Sequence, residues 1–154
     1  MGMHAQASVV YGIDLGDEEY GESYVEVPEK YLEDGLTEGL EDLIAEYRGW
    51  IEEPVPYAHG GEAHQRWSDH LERKFAFLKA HPTVIGYGSY GYQYSGTVLT
   101  SAVAGSVEYA AGPLSLGDTN ADELEKFLQF LESKGFKFDP DKRKAQWLLT
   151  ASYG

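Results

Sequence analysis

The chain has no cysteine, which excludes disulfide staples, thiol catalysis and thiolate-bound metal. No stretch approaches the roughly 18 apolar residues that a membrane-spanning helix needs. No basic segment followed by an apolar one marks the N-terminus, so no signal peptide is expected. Basic residues are scarce: 12 Lys and Arg stand against 26 Asp and Glu, for a net charge of −14. A field of that sign repels nucleic acid and anionic membrane, whose binding requires clustered Lys and Arg. The expectation is a cytosolic protein that contacts neither directly.

What the chain does have is apolar and aromatic material. Hydrophobic residues make up 42% and aromatics 14%, with twelve tyrosines among 154 residues. That is enough to close one sizeable core, and neither a repeat nor a long linker divides the sequence, so residues 1–154 read as a single domain. The acids are unevenly spread. Residues 14–53 hold fifteen Asp and Glu against Lys30 and Arg48, while the other positions are close to neutral. Such a surface suits a basic protein partner and serves solubility equally well. Its candidate contact residues are Glu18, Glu19, Glu41, Asp42 and Glu46.

Hydrophobic periodicity predicts the elements. Val9, Tyr11, Ile13 and Leu15 alternate as one face of a strand, and Tyr24–Val27 reads as a second that forms a hairpin with it. From Leu36 the period lengthens: Leu36, Leu40, Leu43, Ile44, Tyr47 and Trp50 make one helical stripe, stopped by Pro54 and Pro56. A second helix follows Gly60-Gly61, with Ala63, Trp67, Leu71, Phe75 and Leu78 as its core-facing stripe. Thr83–Tyr94, Thr97–Val103 and Ser106–Ala110 read as a three-strand meander. A third helix is capped by Thr119 or Asn120 with Asp122 or Glu123 as reciprocal partner, buries Leu124, Phe127, Leu128 and Leu131, and stops at Gly135. Gln146–Tyr153 closes the chain as a strand. The order does not alternate as a parallel βαβ array would, so the predicted class is α+β: a mainly antiparallel sheet of about five to six strands with three helices packed on it.

Several motifs match known chemistry only in part. Gly86-Tyr87-Gly88-Ser89-Tyr90-Gly91 satisfies G-x-G-x-x-G, but strand and turn residues follow it where a dinucleotide site needs a helix N-terminus. Ser89 lacks the glycine two residues before it that a nucleophile elbow requires. His64 and His70 are six apart, off the three- or four-residue spacing of metal ligands on one helix. Asp118–Asp122 opens like a calcium loop, yet Glu123 and Gln129 stand where glycine and glutamate belong. No catalytic residue, metal site or cofactor is therefore assigned. Lys137, Lys142, Arg143 and Lys144 form a short basic patch, partly neutralised by Asp139 and Asp141, suited to weak phosphate contact or to pairing with the acidic N-terminal third. The Tyr/Gly tract from Gly86 to Gly96 is the most unusual feature. Glycine permits close approach to a sheet and tyrosine offers a flat body with a polar tip, a combination that builds either a ligand surface or an ordinary strand whose rings cover glycine gaps. Along an extended strand Tyr90, Tyr92 and Tyr94 share one face.

Three short stretches carry a resemblance: Ser89-Tyr90-Gly91-Tyr92, the helix end Leu131-Glu132-Ser133-Lys134-Gly135-Phe136, and Trp147-Leu148-Leu149-Thr150-Ala151-Ser152-Tyr153-Gly154. Together these resemble a group of small uncharacterised accessory proteins of tailed bacteriophages, over the last half of the chain. The resemblance implies a phage accessory protein acting in the host cytoplasm, and it brings no catalytic residue with it. The functional expectation is a non-enzymatic protein that binds, and so inhibits or redirects, a host defence protein with a basic surface. The alternative is a small-molecule, nucleotide-like binding or sequestering protein that holds a flat aromatic ligand with Tyr87, Tyr90, Tyr92, Tyr94 and Trp147. A dispersed carboxylate–histidine site and a homo-oligomer stay open.

Overall fold

In the computed structural model, which describes residues 5–108 and 110–153, the elements run β1 (Ala5–Asp17), β2 (Val25–Glu26), a 3₁₀ turn (Glu29–Tyr31), α1 (Leu36–Tyr47), α2 (Gly61–Ala80), β3 (Gly86–Tyr92), β4 (Gly96–Val107), α3 (Ala121–Ser133), β5 (Lys137–Phe138) and β6 (Gln146–Tyr153). The protein is α+β with three helices among the described residues, as the periodicity predicts.

The sheet differs in size and closure. Four strands in the order β1-β4-β3-β6 close into a small barrel, and β2 and β5 form a separate two-stranded ribbon. Three of the four barrel pairings are antiparallel. The fourth, β3 with β6, is parallel and spans only Gly91↔Ser152 and Tyr92↔Tyr153. Register shifts along β1 at Val9/Val10, Tyr11/Gly12 and Asp14/Gly16 are bulges that coil the strand, which lets so few strands curl shut.

Alternation gives the barrel two faces. Ile13 and Leu15 of β1, Ile85, and Leu99 of β4 point outward into a cluster with Leu40 and Leu43 of α1 and Leu124, Phe127, Leu128 and Leu131 of α3. All four apolar residues of the α3 stripe are fully buried there. Gly135 takes the left-handed conformation that ends this helix, with φ 101°.

Four expectations are corrected. Tyr24–Val27 does not form a hairpin with β1: only a Gly16↔Ser23 bridge joins them, and Val25-Glu26 pairs with Lys137-Phe138. Phe138 is an apolar partner that the strand reading passed over. The segment from Ser106 is not a third meander strand, because β4 runs unbroken through Gly105 to Val107; Tyr109 lies outside the described residues. The α3 capping box is not formed. Asn120 adopts φ 52° and its amide nitrogen donates to the Ser101 carbonyl at 3.1 Å, while Asp118 Oδ1 accepts from the Asn120 backbone N–H at 3.0 Å.

The fourth correction concerns α2. Its apolar stripe does not enter the core: Ala63 is exposed and Phe75 is 66% exposed. The helix seats instead on the neighbouring face, through Trp67, His70, Lys74 and Phe77. Trp67 lies edge-on to Tyr57, and Trp50 lies against both His70 and Phe77 at 5.7 and 5.4 Å. A hydrophobic stripe misses this because half of the seated face is polar and is held by paired charges.

Candidate functional site

Two places gather side chains capable of recognition. The first is the barrel interior. Gln6, Ser8 and Val10 of β1 alternate with the outward residues, as do Val98 and Thr100 of β4 and Thr150 and Ser152 of β6, and they surround a cavity of about 360 Å³. Gly86 and Gly88 stand opposite Thr100 and Val98 across the ladder and so share this inner face. A Cβ added at either would meet only Thr100 Oγ1 or Val98 Cγ2, both at 3.5 Å. Both positions would accept a side chain at ordinary contact distance, and Gly88, the one of the two that lines the cavity, leaves it wider than a larger residue would. After Gly91 the chain turns into a hairpin, with no helix to receive a pyrophosphate. At its solvent-exposed rim, Gln6 Nε2 donates to Ser106 Oγ at 2.7 Å and Ser8 Oγ lies 3.0 Å from the same oxygen. No lining residue is charged.

The second is a groove of about 480 Å³ between α1 and α2. Glu38, Glu41 and Asp42 rim its α1 side; Ile44, Leu71, Phe75 and Leu78 supply its apolar surface. Arg48 crosses its end and donates to the Leu78 carbonyl. A charged hub lies beside it. Lys74 Nζ reaches Asp42 at 2.9 Å and Glu52 at 3.3 Å, and His70 Nε2 meets Glu52 at 2.9 Å. Burial raises the Glu52 carboxyl, but bonds from His70 and Trp50 and the Lys74 charge outweigh it and hold the group below its ordinary value. Burial lowers Lys74, and its two carboxylates more than reverse this.

The five tyrosine and tryptophan candidates do not converge on one surface. Tyr87 points outward, donates to Glu41, and has its phenol pushed up to about 12 by burial and then by that bond. Tyr90 donates to Asp14 at 2.6 Å; burial and this bond raise its phenol further. Its ring lies over Gly96, where a Cβ would come within 2.5 Å of it. Tyr92 packs with Tyr20 and Tyr153 on the surface. Trp147 lies edge-on to Tyr11 on the outer face, 5.5 Å away. Tyr94 has left the strand for the turn, where Gln93 and Tyr94 have φ 55° and 58°. No face shared by Tyr90, Tyr92 and Tyr94 exists, because the strand ends at Tyr92. Of the five, only Tyr87 and Tyr94 border the cavity, and the Tyr87 phenol faces away from it toward Glu41.

The acidic candidates divide similarly. Glu18 and Glu19 are exposed on the turn after β1, held by Asp17 Oδ1 accepting from the Glu19 and Tyr20 backbones. Glu41, Asp42 and Glu46 lie on α1, and each already has an internal partner: Tyr87, Lys74 and Lys134 respectively. The basic turn does not pair with the acidic third through Arg143, which binds Glu125 and Glu132 of α3; Lys142 sits over the Tyr24 ring. Among the described residues no three His, Cys, Asp or Glu side chains gather closely enough to hold a metal. No helix of the described residues is long and apolar enough to cross a membrane.

Sequence reasoning missed the inner-face residues Gln6, Ser8, Ser106, Thr150 and Ser152. Their signal was the same two-residue alternation that identified the strands, carried by hydroxyls where apolar residues were sought. No protein-family model, curated protein or solved structure matches the chain.

Proposed function

We propose that this is a non-enzymatic binding protein that captures a basic segment of a partner protein in the groove between α1 and α2. The observation that carries this reading is the exposure of Phe75, between the half-buried Leu71 and Leu78 of the same helical stripe and in one groove with the carboxylates Glu38, Glu41 and Asp42. A large apolar side chain at 66% exposure, rimmed by charge, suits a surface completed by another molecule. An amphipathic helix that lays its apolar face on Phe75 and its Lys or Arg residues on the acidic rim would satisfy both halves. The resemblance to tailed-phage accessory proteins gives this reading its setting: a viral protein in the host cytoplasm that inhibits or redirects a host defence protein.

The test is chemical crosslinking in host lysate, followed by salt titration of the captured complex. Capture of a basic protein by the wild-type chain is expected to weaken as salt rises, since exposed charges are screened over about 8 Å at physiological ionic strength. Phe75→Glu and Glu38→Lys should each abolish it while circular dichroism is unchanged. Capture that survives both substitutions removes the groove as the contact surface.

A further inference from the structure

The barrel interior is chemically unlike the groove and supports an inference independent of it. Its inner face joins two kinds of lining. Val10 and Val98 give an apolar side, while Gln6, Ser8, Ser106 and Thr100 give a side of neutral hydrogen-bonding groups. A hydroxyl carries one donor and two acceptor positions. Ser106 Oγ lies 2.7 Å from Gln6 Nε2, from which it accepts, and 3.0 Å from Ser8 Oγ, so the two hydroxyls together hold one proton beyond the bond they share. The side-chain carbonyl of Gln6 is an acceptor close by. A donor and an acceptor side by side match a ligand hydroxyl, which both gives and takes a hydrogen bond. Tyr94, 38% exposed on the turn at the edge of the cavity, adds a flat aromatic surface. The volume, about 360 Å³, falls at the lower end of the roughly 300–1,000 Å³ typical of small-molecule sites.

Charge narrows the ligand class. The lining contains no Lys, Arg or His, so a phosphate or carboxylate held against it would give up part of its hydration with no compensating cation. We propose that the barrel interior binds a neutral ring bearing hydroxyl groups, a nucleoside or a monosaccharide, and excludes the phosphorylated form of the same molecule. Gly88, which lines the cavity, makes room there. Its φ is not in the left-handed region, so glycine is not required by the backbone; a β-branched residue fits a strand here and fills the cavity instead.

The experiment uses the full chain and a defined panel: the common ribonucleosides, glucose, galactose and mannose, each beside its monophosphate. Saturation-transfer NMR detects binding and calorimetry measures it. At least one neutral compound is expected to bind, with its monophosphate about tenfold weaker or worse. Gly88→Val should abolish that binding while thermal unfolding is not lowered. Ser106→Ala, which removes one hydrogen-bonding group at the exposed rim of the site, should weaken it about threefold or more; if Gly88→Val fails to fold, this variant decides. The nucleoside and sugar arms separate the two sources of the ring. The proposal is overturned if no neutral member binds, if a monophosphate binds as well as its parent, or if the folded Gly88→Val variant, or Ser106→Ala in its place, binds like wild type.

Discussion

Gly12→Ala is the substitution to which the barrel should be most sensitive. Gly12 sits at a bulge where β1 crosses closest to β4. A Cβ built there would lie 1.7 Å from the Leu99 carbonyl oxygen, 2.8 Å from its carbon and 3.0 Å from the Thr100 Cα. All three are backbone atoms, so no rotamer change relieves the overlap. The strands must part until the closest approach reaches about 3 Å, and that breaks the ladder at the point where Leu99 and Ile13 enter the core. Overpacking costs about 1–3 kcal/mol, and each ladder bond lost adds about 0.5–1.5 kcal/mol. A loss on the order of 3–5 kcal/mol is therefore expected, a large part of the roughly 5–15 kcal/mol that holds a domain together. Urea unfolding followed by tryptophan fluorescence measures it, since Trp147 rests against Tyr11 beside the site. Gly86→Ala is the control: its new Cβ meets Thr100 Oγ1 at an ordinary 3.5 Å and should change stability by less than about 0.5 kcal/mol. A Gly12→Ala loss below about 1 kcal/mol would refute the close-approach argument.

Leu128 is 1% exposed, and Leu128→Ala should cost about 2–5 kcal/mol in the same assay; a surface-sized effect would show that α3 presents another face. Tyr87 keeps its proton to about 12 and Tyr90 keeps its own higher still, against an ordinary value of 10.0, so the folded state binds more protons than the unfolded above pH 10. Stability is then intact below pH 10 and falls as pH rises toward 12; ultraviolet titration should show these phenols ionising late, and titration of all tyrosines together would contradict it. Trp50→Ala removes the ring that seats His70 and Phe77, so hydrogen exchange should quicken across α2 while β1 and β4 stay protected. Equal protection of α2 in both proteins would mean that the helix is held by something else.

How much of this was legible depended on what carried the signal. Where apolar residues alone set the period, as in Leu124–Leu131, element and burial both followed from the sequence; Gln146–Tyr153 forms the expected strand, but none of its residues is buried and Leu149 is 76% exposed. Where a polar residue did the packing, they did not. His70, at 4% exposure, is the one buried residue of α2, and no hydrophobic stripe points to it. Closure of the barrel was equally hidden, because it depends on bulges in β1 and on a parallel contact between segments about 60 residues apart, which no local pattern encodes. The Tyr/Gly tract was recognised as unusual for a sound reason, but its function was placed on the rings. Gly88 lines the cavity, and the rings mostly tie the strand to Asp14, Glu41 and the surface.

The parallel seam gives the barrel a clasp. Among the described residues, two residue pairs and the bond from the Gln93 N–H to the Tyr153 carbonyl, at 2.7 Å, are the backbone pairing that joins β3 to β6. The other edge of β6 is tied to β1 along its whole length, from Gln146 to Tyr153. The tube therefore has one weak line, and it can part there without disturbing the cluster beneath α1 and α3. Hydrogen exchange at Tyr92, Gln93 and Tyr153 should run ahead of the rest of the sheet. Cutting the chain after Ala151 should leave an open, curved sheet whose β3 edge is free to pair with another strand.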